Sequence, residues 1–191
     1  KQQSIPENQI FYKTNYHFWL DSEVEEIPYD KTILGLVAMT VDEKIHNAHG
    51  GIKELNGEVR DWVKNGSLGN LIKTLIENGF SVFVTADHGN IEAEGIGQPR
   101  DKDSSSGEER GRRARIYQNE QTANRIQKEM QKDGVLQTFL LPNDIISSKY
   151  HFLLPKSNLA FSKPGTPVVT HGGISLDEVM VPFVKIGEKN D

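Results

Sequence analysis

The sequence predicts an α/β fold in which helices cover a buried sheet. Two apolar runs, KTILGLVAMTVD at 31–42 and FSVFVTA at 80–86, lack the alternation of a half-exposed strand. Such continuous runs are typical of strands that are buried on both faces. A helix predicted at 66–79 leads directly into the second run, which indicates a crossover unit.

The helix at 66–79 has its own start and stop signals. Ser67 is the predicted N-cap, the apolar residues that follow recur at helical spacing, and Gly79 is the predicted stop. The next strand, 80–86, ends on Asp87 and His88. Beyond it, residues 95–112 combine Gly, Pro, a Ser triplet and dense charge, which predicts a long, flexible, exposed loop.

The second half of the chain repeats the strand-then-helix theme. We predict a surface helix at 116–132 and short strands or a flap at 137–160. The final segment, 167–187, is predicted to contain a strand that ends on His171, then Gly-Gly, a helix and a closing strand. The helix opens with a capping box formed by Ser175 and Glu178.

Composition excludes several classes of protein. The chain has 191 residues, enough for one domain, and its 36% hydrophobic and 26% charged residues indicate a globular protein. There is no cysteine, which excludes disulfides, a Cys nucleophile and thiolate metal sites. The net charge of -5 argues against general coating of nucleic acid. No apolar run has the length of a membrane helix and no signal peptide is evident, so we predict a cytoplasmic protein without membrane contact.

Three of the predicted strands end on residues that can bind a metal ion. These residues are Asp42 with His46, Asp87 with His88, and His171. Ligands of parallel α/β sheets bind at the carboxyl ends of the strands, where loops from separate strands converge. Imidazole and carboxylate donors suit Zn²⁺ or Mn²⁺, so the pattern predicts a metal centre.

Each motif taken alone has a simpler explanation. Asp-His-Gly is most often a turn with an N-cap Asp, and Asp-x-x-x-His is explained as well by an ion pair within a helix. His49, three residues after His46, competes as a ligand, whereas His17 and His151 lie beside aromatic residues and are expected to be packed or exposed. The joint occurrence of all three motifs at strand ends favours the metal centre.

Several segments resemble one known family in the expected order. They are TADHGNIEAEGIGQP, RGRRARIY, FLLP and VVTHGGISLDEVMVPFVKI, and they span roughly residues 31–187. They resemble the PglZ domain of the alkaline phosphatase superfamily. The resemblance implies a doubly wound, mostly parallel α/β sheet flanked by helices and a centre with two divalent ions, zinc or manganese. It implies that Asp42, His46 and His171 hold one ion, and that Asp87 and His88 help to hold the other.

The chain departs from the full pattern of that superfamily at its beginning. The superfamily also uses an earlier Asp ligand and a Ser or Thr nucleophile, yet only 41 residues precede Asp42. Asp21 and Ser22 are adjacent and lack the strand-then-helix setting. We therefore expect residues 1–191 to form a single domain that is the C-terminal portion of a PglZ domain, truncated on its N-terminal side. Such a chain would bind about one ion and is not expected to catalyse a reaction alone.

A group of arginines is the remaining candidate for function. Its members are Arg110, Arg112, Arg113 and Arg115. Guanidinium groups bind phosphate bidentately, so these residues could hold a phosphodiester substrate. The alternative is a solvated basic stretch that balances the two glutamates before it. Alternate residues Arg113 and Arg115 could share one strand face, which would leave Ala114 and Ile116 facing inward.

Three functions stay open at this point. The resemblance implies a metal-dependent phosphoesterase, a phosphodiesterase or nuclease acting on nucleic acid or a nucleotide, linked to bacterial phage defence of the BREX type. The second is a non-catalytic scaffold or binding module in a multi-protein defence complex. The third is an enzyme similar to the phosphoglycerate mutases, which share TADHGN but fit the segment from His171 onward less well.

Overall fold

A computed structural model describes most of the chain. The described residues are 5–16, 24–47, 51–99, 112–142, 145–146 and 149–187, with the side chains of residues 15, 16, 46 and 47 left out. Contacts divide the chain into two compact units. The first comprises residues 1–47, 53–85 and 183–191, and the second comprises residues 48–52 and 86–182.

Strands and helices are mixed along the described part of the chain, in runs of up to four strands or three helices. The strands are β1 (Ile10–Tyr16), β2 (Ile33–Ala38), β3 (Val82–Thr85), β4 (Ile91–Gly95), β5 (Arg115–Tyr117), β6 (Thr138–Leu141), β7 (His151–Pro155), β8 (Leu159–Ala160), β9 (Pro167–Thr170) and β10 (Phe183–Ile186). The α-helices are α1 (Thr40–Asn47), α2 (Gly51–Lys64), α3 (Ser67–Glu77), α4 (Glu120–Lys132) and α5 (Leu176–Val179). A short 3-10 turn at Glu7–Gln9 precedes β1. None of the helices in the described part of the chain is both long and apolar enough to cross a bilayer.

The first unit packs its helices around one apolar core. Strand β1 pairs with β2 in parallel, and β3 pairs with β10 in the antiparallel direction. The core consists of Val24, Ile27, Trp62, Leu71, Leu75 and Val82. Helix α3 supplies Leu71 and Leu75 from its apolar face, as its helical spacing predicts. The N-cap of α3 is Gly66 rather than Ser67, and Gly79 adopts a positive φ of 84° where the helix stops.

The strand that leads to Asp87 is less buried than its sequence predicts. Only Val82 of β3 is buried, while the rest of the strand is exposed. Phe83 stacks on Phe183 of β10 with ring centroids 5.4 Å apart, and these side chains are 51% and 72% exposed. The first unit therefore carries an apolar strand pair open to solvent.

The predicted doubly wound, mostly parallel sheet is not what the structure shows. The described strands form four small sheets in the orders β1-β2, β10-β3, β8-β4-β9 and β5-β7-β6. Only β1–β2 and β4–β8 are parallel pairs. Continuous apolar runs indicate that a strand is buried, but they do not specify which strand pairs with it or in which direction. The order of strands in the sheets therefore could not be predicted from these runs. The α/β class itself agrees with the mixture of helices and small mixed sheets.

The second unit contains two three-stranded sheets and one long helix. Helix α4 packs on the sheet β5-β7-β6, and their shared core consists of Tyr117, Ala123, Ile126, Met130, Leu153 and Phe161. The helix begins at Glu120, not at 116, because residues 115–117 pair as β5 with β7. Asn119 caps it by accepting a hydrogen bond of 2.8 Å from the backbone N of Thr122. In the predicted loop at 95–112, residues 100–111 lie outside the described part of the chain.

Candidate metal centre

Two histidines of the second unit lie face to face. The rings of His88 and His171 stack with centroids 3.7 Å apart and an angle of 10° between their planes. His171 directly follows β9, as predicted, and His88 follows the segment that leaves β3. Imidazole nitrogens are common ligands of Zn²⁺ and related ions. The structure thus brings together two predicted ligands that are 83 positions apart in the sequence.

The local turn at Asp87 orients the His88 ring. The backbone N of His88 donates to Asp87 Oδ1 at 3.1 Å, and His88 Nδ1 lies 3.0 Å from the carbonyl O of Gly89. When Nδ1 carries the proton, it donates to that carbonyl and leaves the Nε2 lone pair available to a metal ion. Nε2 lies 3.7 Å from Asp87 Oδ1, so an imidazole and a carboxylate donor are adjacent.

Position 89 requires glycine because the backbone of Asp177 approaches it closely. A Cβ at this position would lie 1.9 Å from the carbonyl O of Asp177. The backbone N of Gly89 donates to the carbonyl O of Glu178 at 2.8 Å. Gly89 is not one of the glycines with positive φ, so the turn does not depend on left-handed backbone. The missing side chain instead lets the turn after His88 dock on α5.

Gly172 and Gly173, which follow His171, are required for two different reasons. Gly172 has a φ of 103°, a conformation that disfavours any residue with a Cβ. A Cβ on Gly173 would lie 2.6 Å from Glu178 Oε2, so that position also needs its missing side chain. Both turns that carry a histidine therefore meet Glu178 or its neighbour Asp177.

Glu178 is a buried carboxylate that is fully hydrogen-bonded. It is 2% exposed, and Arg113, itself 3% exposed, donates to it bidentately through Nε and Nη2, each at 2.9 Å. Gly173 N donates to Oε1 at 2.8 Å, and Ser175 donates to Oε2 through its backbone N at 3.2 Å and through Oγ at 2.7 Å. Burial alone would raise the pKa of Glu178, but the hydrogen bonds from Arg113, Ser175 and Gly173 outweigh burial and lower that pKa from its usual 4.5. The Glu178 carboxylate is therefore ionised at neutral pH.

The predicted capping box gave only part of this network. The box itself is present, with Ser175 and Glu178 bonded reciprocally at the start of α5. The bidentate contact with Arg113 joins residues 65 positions apart, and no local pattern indicates such a pair. The sequence therefore predicted only the role of Glu178 at the start of the helix. It did not indicate the contacts of Glu178 with the turns that follow His88 and His171.

Comparison with known families identifies the family of this chain. The family model of the BREX system PglZ alkaline phosphatase-like domain matches residues 3–186, nearly the whole chain. The chain belongs to the PglZ family. A search of curated proteins found no match. The alkaline-phosphatase-like assignment agrees with the α/β class, and proteins of this kind generally bind divalent metal ions.

The other predicted ligands of this PglZ domain lie in the first unit. Asp42 is in the first turn of α1, and His46 follows one turn later in the same helix. Strand β2 ends at Ala38 and α1 begins at Thr40, so Asp42 lies within the helix and not, as predicted, at the end of a strand. The side chain of His46 lies outside the described part of the structure. For both residues, binding of a metal ion stays a prediction.

The arginines of the PglZ domain differ in their surroundings. Arg110 lies outside the described residues, and Arg112 is half-buried. Arg113 uses Nη1 to donate to the carbonyl O of Ser157 at 3.0 Å and to that of Leu159, in addition to its contact with Glu178. Arg115 is 7% exposed, and its Nε has no hydrogen-bond partner among the residues that the structure describes.

The strand face assigned to these arginines is opposite to the predicted one. Arg113 and Arg115 are buried, whereas Ala114 and Ile116 are half-buried. Tyr117, fully buried in the α4 core, lies on the same face of β5 as Arg115, since side chains two apart point the same way. The sequence prediction that Ala114 and Ile116 face inward was therefore wrong, because apolar character did not decide which face packs.

Proposed function

We propose that this PglZ domain contributes to a metal-dependent phosphoesterase that cleaves phosphodiesters, nucleic acid or a nucleotide, within a multi-protein BREX phage-defence complex. The observation that carries the proposal is the stacked pair of His88 and His171, whose rings are 3.7 Å apart in a domain of alkaline-phosphatase type. Neither His88 nor His171 belongs to the hydrophobic core around α4, so packing of that core does not explain why histidine occurs at these positions.

The proposed ligands are those that the sequence pattern assigns. Asp42, His46 and His171 would hold one ion, and Asp87 and His88 would help to hold a second. The described geometry supports His88 and His171, since their rings are adjacent and Asp87 is next to His88. Two such ions would act on the same phosphoryl group, so the residues that hold them are expected to lie side by side. The assignment of Asp42 and His46 rests on the sequence pattern and the family.

The donor set fits zinc or manganese. Imidazole and carboxylate donors without thiolate are accepted by both ions, and the chain has no cysteine. When bound, a pair of such ions clamps the oxygens of a phosphoryl group and stabilises the charge that develops on them. The residues of this chain hold the imidazole rings in place and leave Nε2 of His88 accessible through the contact of Nδ1 with the Gly89 carbonyl.

We propose that arginines of this domain bind the phosphodiester substrate, as the sequence suggested for Arg110, Arg112, Arg113 and Arg115. Among these arginines Arg115 is the best candidate for this role, because its buried Nε donates to no acceptor within the described residues. An unsatisfied guanidinium is costly in a buried position, so an anion that accepts from it would be bound favourably. Arg113 has only one N–H left beyond its contacts with Glu178 and two carbonyl groups.

The scaffold alternative is favoured by a different observation. Phe83 and Phe183 form an exposed stacked pair on β3 and β10 in the first unit. Exposed aromatic surface of this kind marks sites of protein contact. A protein that uses this strand pair to bind a partner within a defence complex would need no reaction at the histidines.

The test is hydrolysis of bis(4-nitrophenyl) phosphate by the protein as the cell makes it, with Zn²⁺ or Mn²⁺ added after treatment with a chelator. We expect activity that requires the metal and that falls by about 100-fold or more in both His88→Ala and His171→Ala, since metal-site changes have effects of this size. The matched control is His151→Ala, which removes a histidine from β7 and should retain activity.

Two other outcomes would replace the proposal. Metal-independent background rates in all variants, with partner binding retained, would favour the scaffold. Turnover of a phosphomonoester such as phosphoglycerate in place of the diester would favour the alternative that is similar to the phosphoglycerate mutases.

A further inference from the structure

We propose that Glu178, held by Arg113, is a positioning residue that fixes both histidine-bearing turns of the metal centre. The inference rests on the proposed metal site and adds to it two residues that touch neither imidazole in the described contacts. We call the ion pair of Glu178 and Arg113 the staple.

One residue of the staple contacts both turns. The carbonyl O of Glu178 accepts from Gly89 N, directly after His88, at 2.8 Å. Its carboxylate accepts from Gly173 N, two residues after His171, at 2.8 Å. Any shift of Glu178 therefore moves the backbone on both sides of the histidine stack.

The opposite end of the staple is anchored in a different part of the unit. Arg113 precedes β5, and its Nη1 donates to the carbonyl groups of Ser157 and Leu159, at the start of β8. Strand β8 pairs with β4, which begins two residues after Gly89. The staple thus connects α5 to β4 through β8, and the turn of His88 is held from both sides.

A helix cap alone does not account for this arrangement. The capping box needs only the two bonds between Ser175 and Glu178, and α5 is four residues long. Removing a guanidinium and a carboxylate from water has a large desolvation cost, and apolar residues of similar volume often give equal or greater stability. A buried ion pair is better explained by a geometric role, and the Gly173 and Gly89 contacts show which geometry it controls.

The test measures metal affinity and amide hydrogen exchange in the same variants. Glu178→Gln keeps the shape but presents an NH₂ group to donors, and Arg113→Lys keeps the charge but loses the bidentate fork. We expect each to weaken Zn²⁺ or Mn²⁺ binding by about 10- to 100-fold, the usual effect of residues that orient metal ligands. Exchange at the Gly89 and Gly173 amides should accelerate, while α4 keeps its protection. Glu178→Asp, which retains charge with a shorter reach, should give an intermediate loss.

Two controls separate positioning from general stability. Asn119→Ala removes the N-cap of α4 without touching the staple and should change metal affinity by less than about threefold. Ile126→Val loosens the buried face of α4 without touching the staple, and it should leave metal affinity unchanged although it lowers the melting temperature.

The outcomes are distinct from those of the proposed function. Wild-type metal affinity in folded Glu178→Gln and Arg113→Lys would overturn the positioning role. If one of them fails to fold, Glu178→Asp decides by the same criterion. If the wild-type chain binds neither ion, the proposed function fails, and the staple is judged by exchange alone. Unchanged exchange at Gly89 and Gly173 would then overturn it.

Discussion

Gly89→Ala is expected to lower the free energy of unfolding by about 3 kcal/mol or more, one of the largest effects of any single substitution in this chain. The added Cβ would lie 1.9 Å from the carbonyl O of Asp177 and 3.0 Å from its carbonyl C, and both atoms belong to backbone. Relief requires the turn after His88 to move away from α5, which also breaks the bond from Gly89 N to the carbonyl O of Glu178. Urea unfolding monitored by circular dichroism measures the change.

Gly69→Ala is the matched control for this substitution. Gly69 lies inside α3, its φ is in the ordinary range, and a Cβ there would meet nothing within 4 Å. Alanine is the better helix former, so this variant should gain about 0.5–1 kcal/mol. Equal stability of Gly89→Ala and the wild type would mean that the turn does not dock on α5 as described.

Arg113→Ala is expected to lower the free energy of unfolding by about 3–5 kcal/mol, because it leaves the buried Glu178 carboxylate without its counter-charge. Arg113 and Glu178 are almost completely buried, and the substitution also removes the donors of the carbonyl groups of Ser157 and Leu159. Buried acceptors left without donors add to the loss. The same unfolding measurement applies, at a pH near 7, where Glu178 is ionised.

Arg125→Ala supplies the comparison with an exposed ion pair. Arg125 contacts Glu129 at 2.9 Å within α4, and both side chains are exposed to solvent. Exposed pairs of this spacing contribute about 0.5 kcal/mol or less. If Arg113→Ala and Arg125→Ala had the same small effect, the Arg113–Glu178 pair would not be buried in solution.

Local features of this fold could be predicted from the sequence. Helix α3 and its stop at Gly79, and the capping box at Ser175, depend on residues within one or two turns of each other. The positions of Asp87 and His171 after strands follow from the same local patterns. Interactions between residues that are close in sequence can be predicted from the local order of residue types.

Long-range relations could not be predicted in the same way. The direction of β10 against β3, and the pairing of β4 with both β8 and β9, depend on which surfaces meet. The reason for Gly89 was also hidden, because the atom that excludes a side chain belongs to Asp177, 88 positions later. The sequence predicted that Arg113 binds substrate or belongs to a solvated basic stretch, and neither prediction indicated its buried partner Glu178.

The most direct test of the central claim is titration of the chain with Zn²⁺ and with Mn²⁺ by calorimetry. Wild-type protein should bind about one ion tightly per chain, and His46→Ala and His171→Ala should both abolish that binding, since each removes a proposed ligand of the same ion. His151→Ala should bind as the wild type does. Absence of binding by the wild-type chain, or wild-type affinity in both His46→Ala and His171→Ala, would contradict the proposed metal centre.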